Sequence, residues 1–141
     1  MRSFFLFAIL LLAACAAPEL KIGKLPAVDP ASSGEVVVVR PSAFIAEDFT
    51  FYVNVNEENI AGLRNRMHTR FRLPAGDHRI AVRCTSGYTS DVFENATIER
   101  VVAGQTIYLA IEPKGKCATI EAVSEREGRR LVANTTFIRS N

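Results

Sequence analysis

The sequence predicts a mainly β fold: an antiparallel β-sandwich of about seven to eight strands with a short C-terminal helix, preceded by an N-terminal signal peptide. Two patterns lead to the sandwich. Short segments rich in β-branched and aromatic residues recur roughly every eight to twelve residues, separated by Gly, Pro and Asn. Within several of them hydropathy alternates with period two: Phe51, Val53 and Val55 against Tyr52 and Asn54; Ile80, Val82 and Cys84 against Arg79, Ala81 and Arg83; Ile107, Leu109 and Ile111 against Tyr108 and Ala110. A third observation, a positive start followed by an apolar run, predicts the signal peptide.

The chain opens Met1-Arg2-Ser3 and continues apolar from Phe4 to Ala17. That run falls short of the roughly 20 residues a spanning helix needs, so it reads as a secretory signal. It ends in Leu12-Ala13-Ala14-Cys15, which looks like a bacterial lipobox. Small side chains before the cut let a peptidase reach the backbone between Ala14 and Cys15, and the Cys15 thiol is the nucleophile for lipid attachment. Each buried acyl methylene contributes about 0.8 kcal/mol, so a multiply acylated Cys15, palmitate included, holds the protein on a membrane without spanning it. Ala16 stands where an aspartate would retain a Gram-negative lipoprotein at the inner membrane. The expectation is therefore an outer-membrane anchor, with the protein facing the periplasm.

Loss of residues 1–14 removes one arginine and lowers the net charge from +2 to +1. Residues 15–34 are the lipidated cysteine and a flexible tether, with prolines at 18, 26 and 30 and no sustained periodicity. At about 3.3 Å per extended residue, the segment after Cys15 reaches roughly 60 Å. Residues 35–141 form one domain.

In that domain strands are predicted at 35–40, 49–56, 60–65, 69–73, 78–84, 92–98, 105–112 and 117–123. The unbroken Val36-Val37-Val38-Val39 suits a strand covered on both faces or one passing between sheets. Turns fall at Asn56-Glu57-Glu58-Asn59, Pro74-Ala75-Gly76-Asp77, Ala103-Gly104 and Pro113-Lys114-Gly115. A helix is predicted over 124–133, where Ser124 and Glu127 have capping-box spacing. Gly128 weakens it by up to about 1 kcal/mol. Phe137 and Ile138 suit a final packed strand, with a docking peptide as the alternative.

The order Val39-Arg40-Pro41-Ser42, Phe51-Tyr52-Val53-Asn54, the run from Phe71 through Pro74-Ala75-Gly76 to Ile80, and Ala103-Gly104-Gln105-Thr106-Ile107-Tyr108 resembles a bacterial lipoprotein family of unknown function with a PEGA-like β-sandwich domain. The resemblance covers residues 35–131, with Gly87-Tyr88 in the place of the family's Gly-Tyr pair. It implies fold and location and carries no enzymatic residues.

With Cys15 lipidated, Cys84 and Cys117 have a single intramolecular pairing open to them, and a disulfide is expected in a secreted chain; two reduced thiols are the alternative. No Cys-x-x-Cys, nucleophile elbow, His-Glu-x-x-His or phosphate-cradling loop occurs. No catalytic residue, metal ligand or cofactor is therefore expected. His68 and His78 flank the Phe71 hairpin and offer an enzymatic alternative. Asn95-Ala96-Thr97 and Asn134-Thr135-Thr136 are chance sequons behind a bacterial lipobox. The small net charge does not favour nucleic acid.

The alternating arginines carry the binding reading. With Phe71, Leu73, Ile80 and Val82 inward, Arg70, Arg72, Arg79 and Arg83 share the opposite face of the hairpin. Their guanidiniums would engage carboxylates or phosphates of an envelope protein or an anionic cell-wall component. Ion pairing to nearby glutamates is the alternative. The function expected is a non-enzymatic binding or interaction module, working through this face or an exposed strand edge. A structural subunit of an envelope or secretion assembly comes second, and an envelope enzyme third.

Overall fold

The computed structural model describes residues 19–85 and 91–141. The segment expected to be a signal peptide, with Ala14, Cys15, Ala16 and the Gly87-Tyr88 pair, lies outside them. In chain order, a 3-10 turn at Pro30–Ser32 leads into β1 (Ser33–Arg40), β2 (Phe51–Val55), β3 (Glu58–Leu63), β4 (Met67–Pro74), β5 (Gly76–Thr85), β6 (Val92–Val101), β7 (Thr106–Lys114), β8 (Cys117–Val123), α1 (Glu125–Ala133) and β9 (Thr136–Phe137).

The strands form two sheets, ordered β8-β7-β1-β4-β9 and β3-β2-β5-β6. Both feed one core: Val36, Val38, Phe71, Leu73, Leu109 and Ile111 from the first, Phe51, Val53, Val55, Ile80 and Val82 from the second. The alternation expected from sequence selects these residues. Cys84 on β5 and Cys117 on β8 are disulfide-bonded, with Cα atoms 5.4 Å apart, and so join the two sheets. Closing a loop of this length contributes roughly 3 to 4 kcal/mol on chain-entropy grounds.

The expectation from sequence is antiparallel pairing throughout, which the structure corrects: β1 runs parallel to β7, and β4 parallel to β9. The physical reason lies in β1, the central strand, where Val36, Val37, Val38 and Val39 are all fully buried. Parallel strands need cover on both faces. Val36 and Val38 face the core, while α1 lies over β1 and β7 on the other side.

Ser124 caps α1, its hydroxyl accepting the Glu127 amide at 3.2 Å. The Glu127 side chain pairs with Arg130 instead of closing the capping box. Gly128 is the buried residue of the helix, and a Cβ there would stand 2.2 Å from Tyr108 Cγ on β7. The residue that weakens the helix is thus the one that lets it dock.

Turns differ slightly from expectation. β2 and β3 are joined by the two residues Asn56 and Glu57, at φ 46° and 76°, so β3 begins at Glu58. Both positive angles fit a type I′ hairpin, whose twist matches the flanking strands. Gly76, at φ 137°, sits where the chain leaves one sheet for the other, so β4 and β5 are not hydrogen-bonded partners.

Three of the sheet edges, β6, β8 and β3, are bridged or covered in part. Asn95 on β6 donates to the Ala118 carbonyl on β8 at 2.6 Å, drawing those two edges together. At β3, Asn59 accepts the Gly23 amide at 2.7 Å and Ile60 accepts the Asn141 amide at 3.0 Å. Leu25 packs against the core and donates its amide to Asn141. Part of the segment read as a tether therefore runs along the domain. The β3 edge is thereby less open to strand addition.

Gly128→Ala tests the helix contact. Intrinsic propensity favours alanine by up to about 1 kcal/mol, but crowding against Tyr108 should outweigh it and lower stability by about 1 to 3 kcal/mol. The measurement is the urea midpoint at unchanged slope; an unchanged or raised midpoint would contradict the packing.

Candidate interaction site

The four arginines do not share a face. Arg70 and Arg72 project from β4 in one sheet, Arg79 and Arg83 from β5 in the other, each pair pointing away from the common core. The expected arrangement required β4 and β5 to form a hairpin within one sheet, and the Gly76 crossover prevents it. Arg79 and Arg83 both pair with Glu94 on β6, which faces Arg83 in register. The hydrogen bond from Arg79, helped by Arg83 and opposed by partial burial, holds the Glu94 carboxyl below its ordinary range. Arg72 donates to Ser33 Oγ at 3.0 Å and to the Pro30 carbonyl at 3.2 Å. Arg70 is the loosest, 3.5 Å from Glu35 and 44% exposed at its side chain. Three of the four guanidiniums hold their own fold together.

The histidines are also apart. His68 stands near the start of β4, whereas His78 Nε2 donates to the Pro74 carbonyl at the far end of that strand, at 2.7 Å. Six strand residues separate those ends, about 20 Å. His78 Nδ1 accepts from Asn56, fixing the β2–β3 turn. His68 is buried and holds the C-terminal strand: Thr135 Oγ1 donates to the Val132 carbonyl and receives His68 Nδ1–H at 2.8 Å. Burial, reinforced by Arg70, lowers the His68 pKa from its ordinary 6.5. Among the described residues no three His, Cys, Asp or Glu side chains group as a metal site.

The residue that sequence reading passed over is Arg40. Period two from Val36 and Val38 puts it on the core side of β1, and that signal was legible. Its guanidinium is fully buried, lies 4.0 Å over the Phe51 ring, and has no carboxylate partner among the described residues. Instead it donates to three backbone carbonyls: Leu63 at 2.8 Å, Ala46 and Phe49. Burial pushes its pKa down to about 10, so it remains charged at neutral pH. A buried cation is tolerated when hydrogen bonds replace water.

Two of those carbonyls belong to the β1–β2 loop, so Arg40 fixes that loop from beneath. Asn65 adds a second tie, accepting the Ala43 amide at 3.0 Å. Ala46 adopts φ 60°, which an alanine rarely does. Held this way, the loop turns three large apolar residues outward: Phe44 is 90% exposed, Ile45 74% and Phe49 43%. Beside it lies a shallow cleft whose lining includes Phe44, Ile45, Ile111 and Pro113. Isolated exposed apolar residues are ordinary, but a clamped apolar cluster is a surface suited to contact.

Comparison of the chain with protein-family models, with curated proteins and with solved structures finds no match in any of the three. The likeness to PEGA-type modules therefore rests on the order of residues alone.

Two measurements address this geometry. Arg40→Met keeps the apolar stem but strands three carbonyls; it should lower stability by roughly 2 to 4 kcal/mol and open the loop to proteolysis at residues 43–49. Wild-type stability with unchanged protection would count against the clamp. Because the folded His68 pKa is lowered, its neutral form stabilises the protein above the ordinary 6.5, and that stability is lost as pH falls below it. In His68→Asn the acid-side decline in denaturation midpoint should be smaller; an identical pH profile would remove His68 as its source.

Proposed function

We propose that this chain is a bacterial envelope lipoprotein, held by acyl chains on Cys15 at the outer membrane and facing the periplasm, whose domain works as a non-enzymatic interaction module. On this reading its two sheets are the layers of a PEGA-like β-sandwich. The observation that carries the interaction role is the Arg40-clamped loop with Phe44 and Ile45 outward. A cation buried without an acid to fix a surface loop is costly for stability alone, and intelligible where the loop's shape is used. The lipobox supports the location, and the Cys84–Cys117 disulfide suits an oxidising compartment. The arginines support binding less well, since most are bonded within the fold.

The location is tested by substituting Cys15→Ala with the rest of the signal intact. Palmitate labelling should disappear and the chain should leave the membrane fraction. Persistent labelling and membrane retention would overturn the reading.

A further inference from the structure

We propose that the β1–β2 loop is a second membrane contact, with Phe44 and Ile45 seated among the lipids of the bilayer that holds the Cys15 anchor. The inference rests on the lipoprotein reading above and names the partner of its interaction surface. Two observations carry it: the fixed outward set of the apolar pair, and the short length of chain between the anchor and the domain.

The domain begins to be held at Lys21, whose carbonyl accepts from Asn59 Nδ2 at 3.3 Å, and at Gly23, whose amide donates to the Asn59 carbonyl. Six residues from Cys15 to Lys21 span at most about 20 Å, about a third of the reach expected of a tether running to residue 34. From Asn59 the β3 strand runs to Leu63, a distance of about 13 Å. At that end the Leu63 carbonyl accepts from Arg40, which also holds Ala46 and Phe49 of the loop. The connecting chain is thus long enough for a bilayer surface to meet Phe44 while Cys15 stays within it. It is too short for the domain to stand far away.

Apolar insertion, more than charge, would make this contact. Glu47 and Asp48 occupy the other limb of the loop, and Arg64 and Arg66 flank Asn65 on the neighbouring turn, which ties to Ala43. These charges balance, so attraction to anionic headgroups is weak and the contact should change little with salt. Aromatic and branched apolar side chains at the headgroup boundary gain by removal from water. The clamp matters because a loop already ordered loses little freedom on insertion.

The chain contains no tryptophan, so Phe44→Trp introduces a single reporter. Ile98, 64% exposed on β6, gives the control Ile98→Trp. Each full-length acylated chain is reconstituted into phosphatidylethanolamine–phosphatidylglycerol vesicles with brominated acyl chains. Vesicle flotation reads the anchor, and fluorescence quenching reads the loop. The expected result is flotation of both chains, with Phe44→Trp emitting to the blue of the control and quenched several-fold more strongly, nearly independently of salt. Flotation with equal quenching overturns the loop contact and leaves the anchor standing. A chain that neither floats nor is quenched overturns both. A blue shift without vesicles that grows with protein concentration assigns the surface to a second copy of the chain, and one that appears only with added envelope protein assigns it to a protein partner; either overturns the membrane contact.

Discussion

Four consecutive valines, all fully buried, require the strand β1 to have apolar cover on both faces at once. Much of the architecture meets that requirement. β1 lies in the middle of its sheet, between β4 and β7; its inward valines meet the second sheet's residues in the core, and its outward ones need α1. The helix can lie close because Gly128 presents no side chain to Tyr108. A helix-weakening residue in an exposed position would merely destabilise; here its absent Cβ is what allows the layer above β1 to form.

The same strand ends in Arg40, where its alternation carries a cation to the edge of the core. Its two terminal nitrogens donate to carbonyls of Leu63 and of the loop that follows β1, while the buried Nε has no partner among the described residues. Two loop carbonyls are thereby fixed, so the loop's outer surface is determined from inside the protein. Order at Phe44 and Ile45 is in this sense a consequence of where β1 stops. Removing a buried donor set would be felt at the surface as loss of loop shape, not only as loss of stability.

The edges and the arginines illustrate a second constraint. Unpaired strand edges invite unwanted pairing, and this chain bridges β6 to β8 through Asn95 and covers part of β3 with the Gly23 segment and the C-terminal residues. Arginines that looked available as a charged surface are used in part for the same purpose: Arg72 ties β4 to the entrance of β1, and Arg79 with Arg83 tie β5 to β6 through Glu94. A guanidinium with several local acceptors is a cross-link before it is a ligand site.

By itself the sequence determined most strands, the helix and the inward side of β2, β4, β5 and β7, because period-two and capping patterns are local and the hydrophobic effect acts on them wherever the chain goes. The inward set Phe71, Leu73, Ile80 and Val82 is the same in both readings, as is the pairing of Cys84 with Cys117. Arg40 was also legible, two positions beyond Val38. Tertiary structure alone decided which strands became neighbours: that β1 and β7 run parallel, that the Gly76 turn passes between sheets, and therefore that Arg70 and Arg79 face opposite ways. Alternation fixes a side chain's face within a strand but contains nothing about the sheet to which that strand belongs. That choice is made by long-range burial, here the need to cover β1 on both sides.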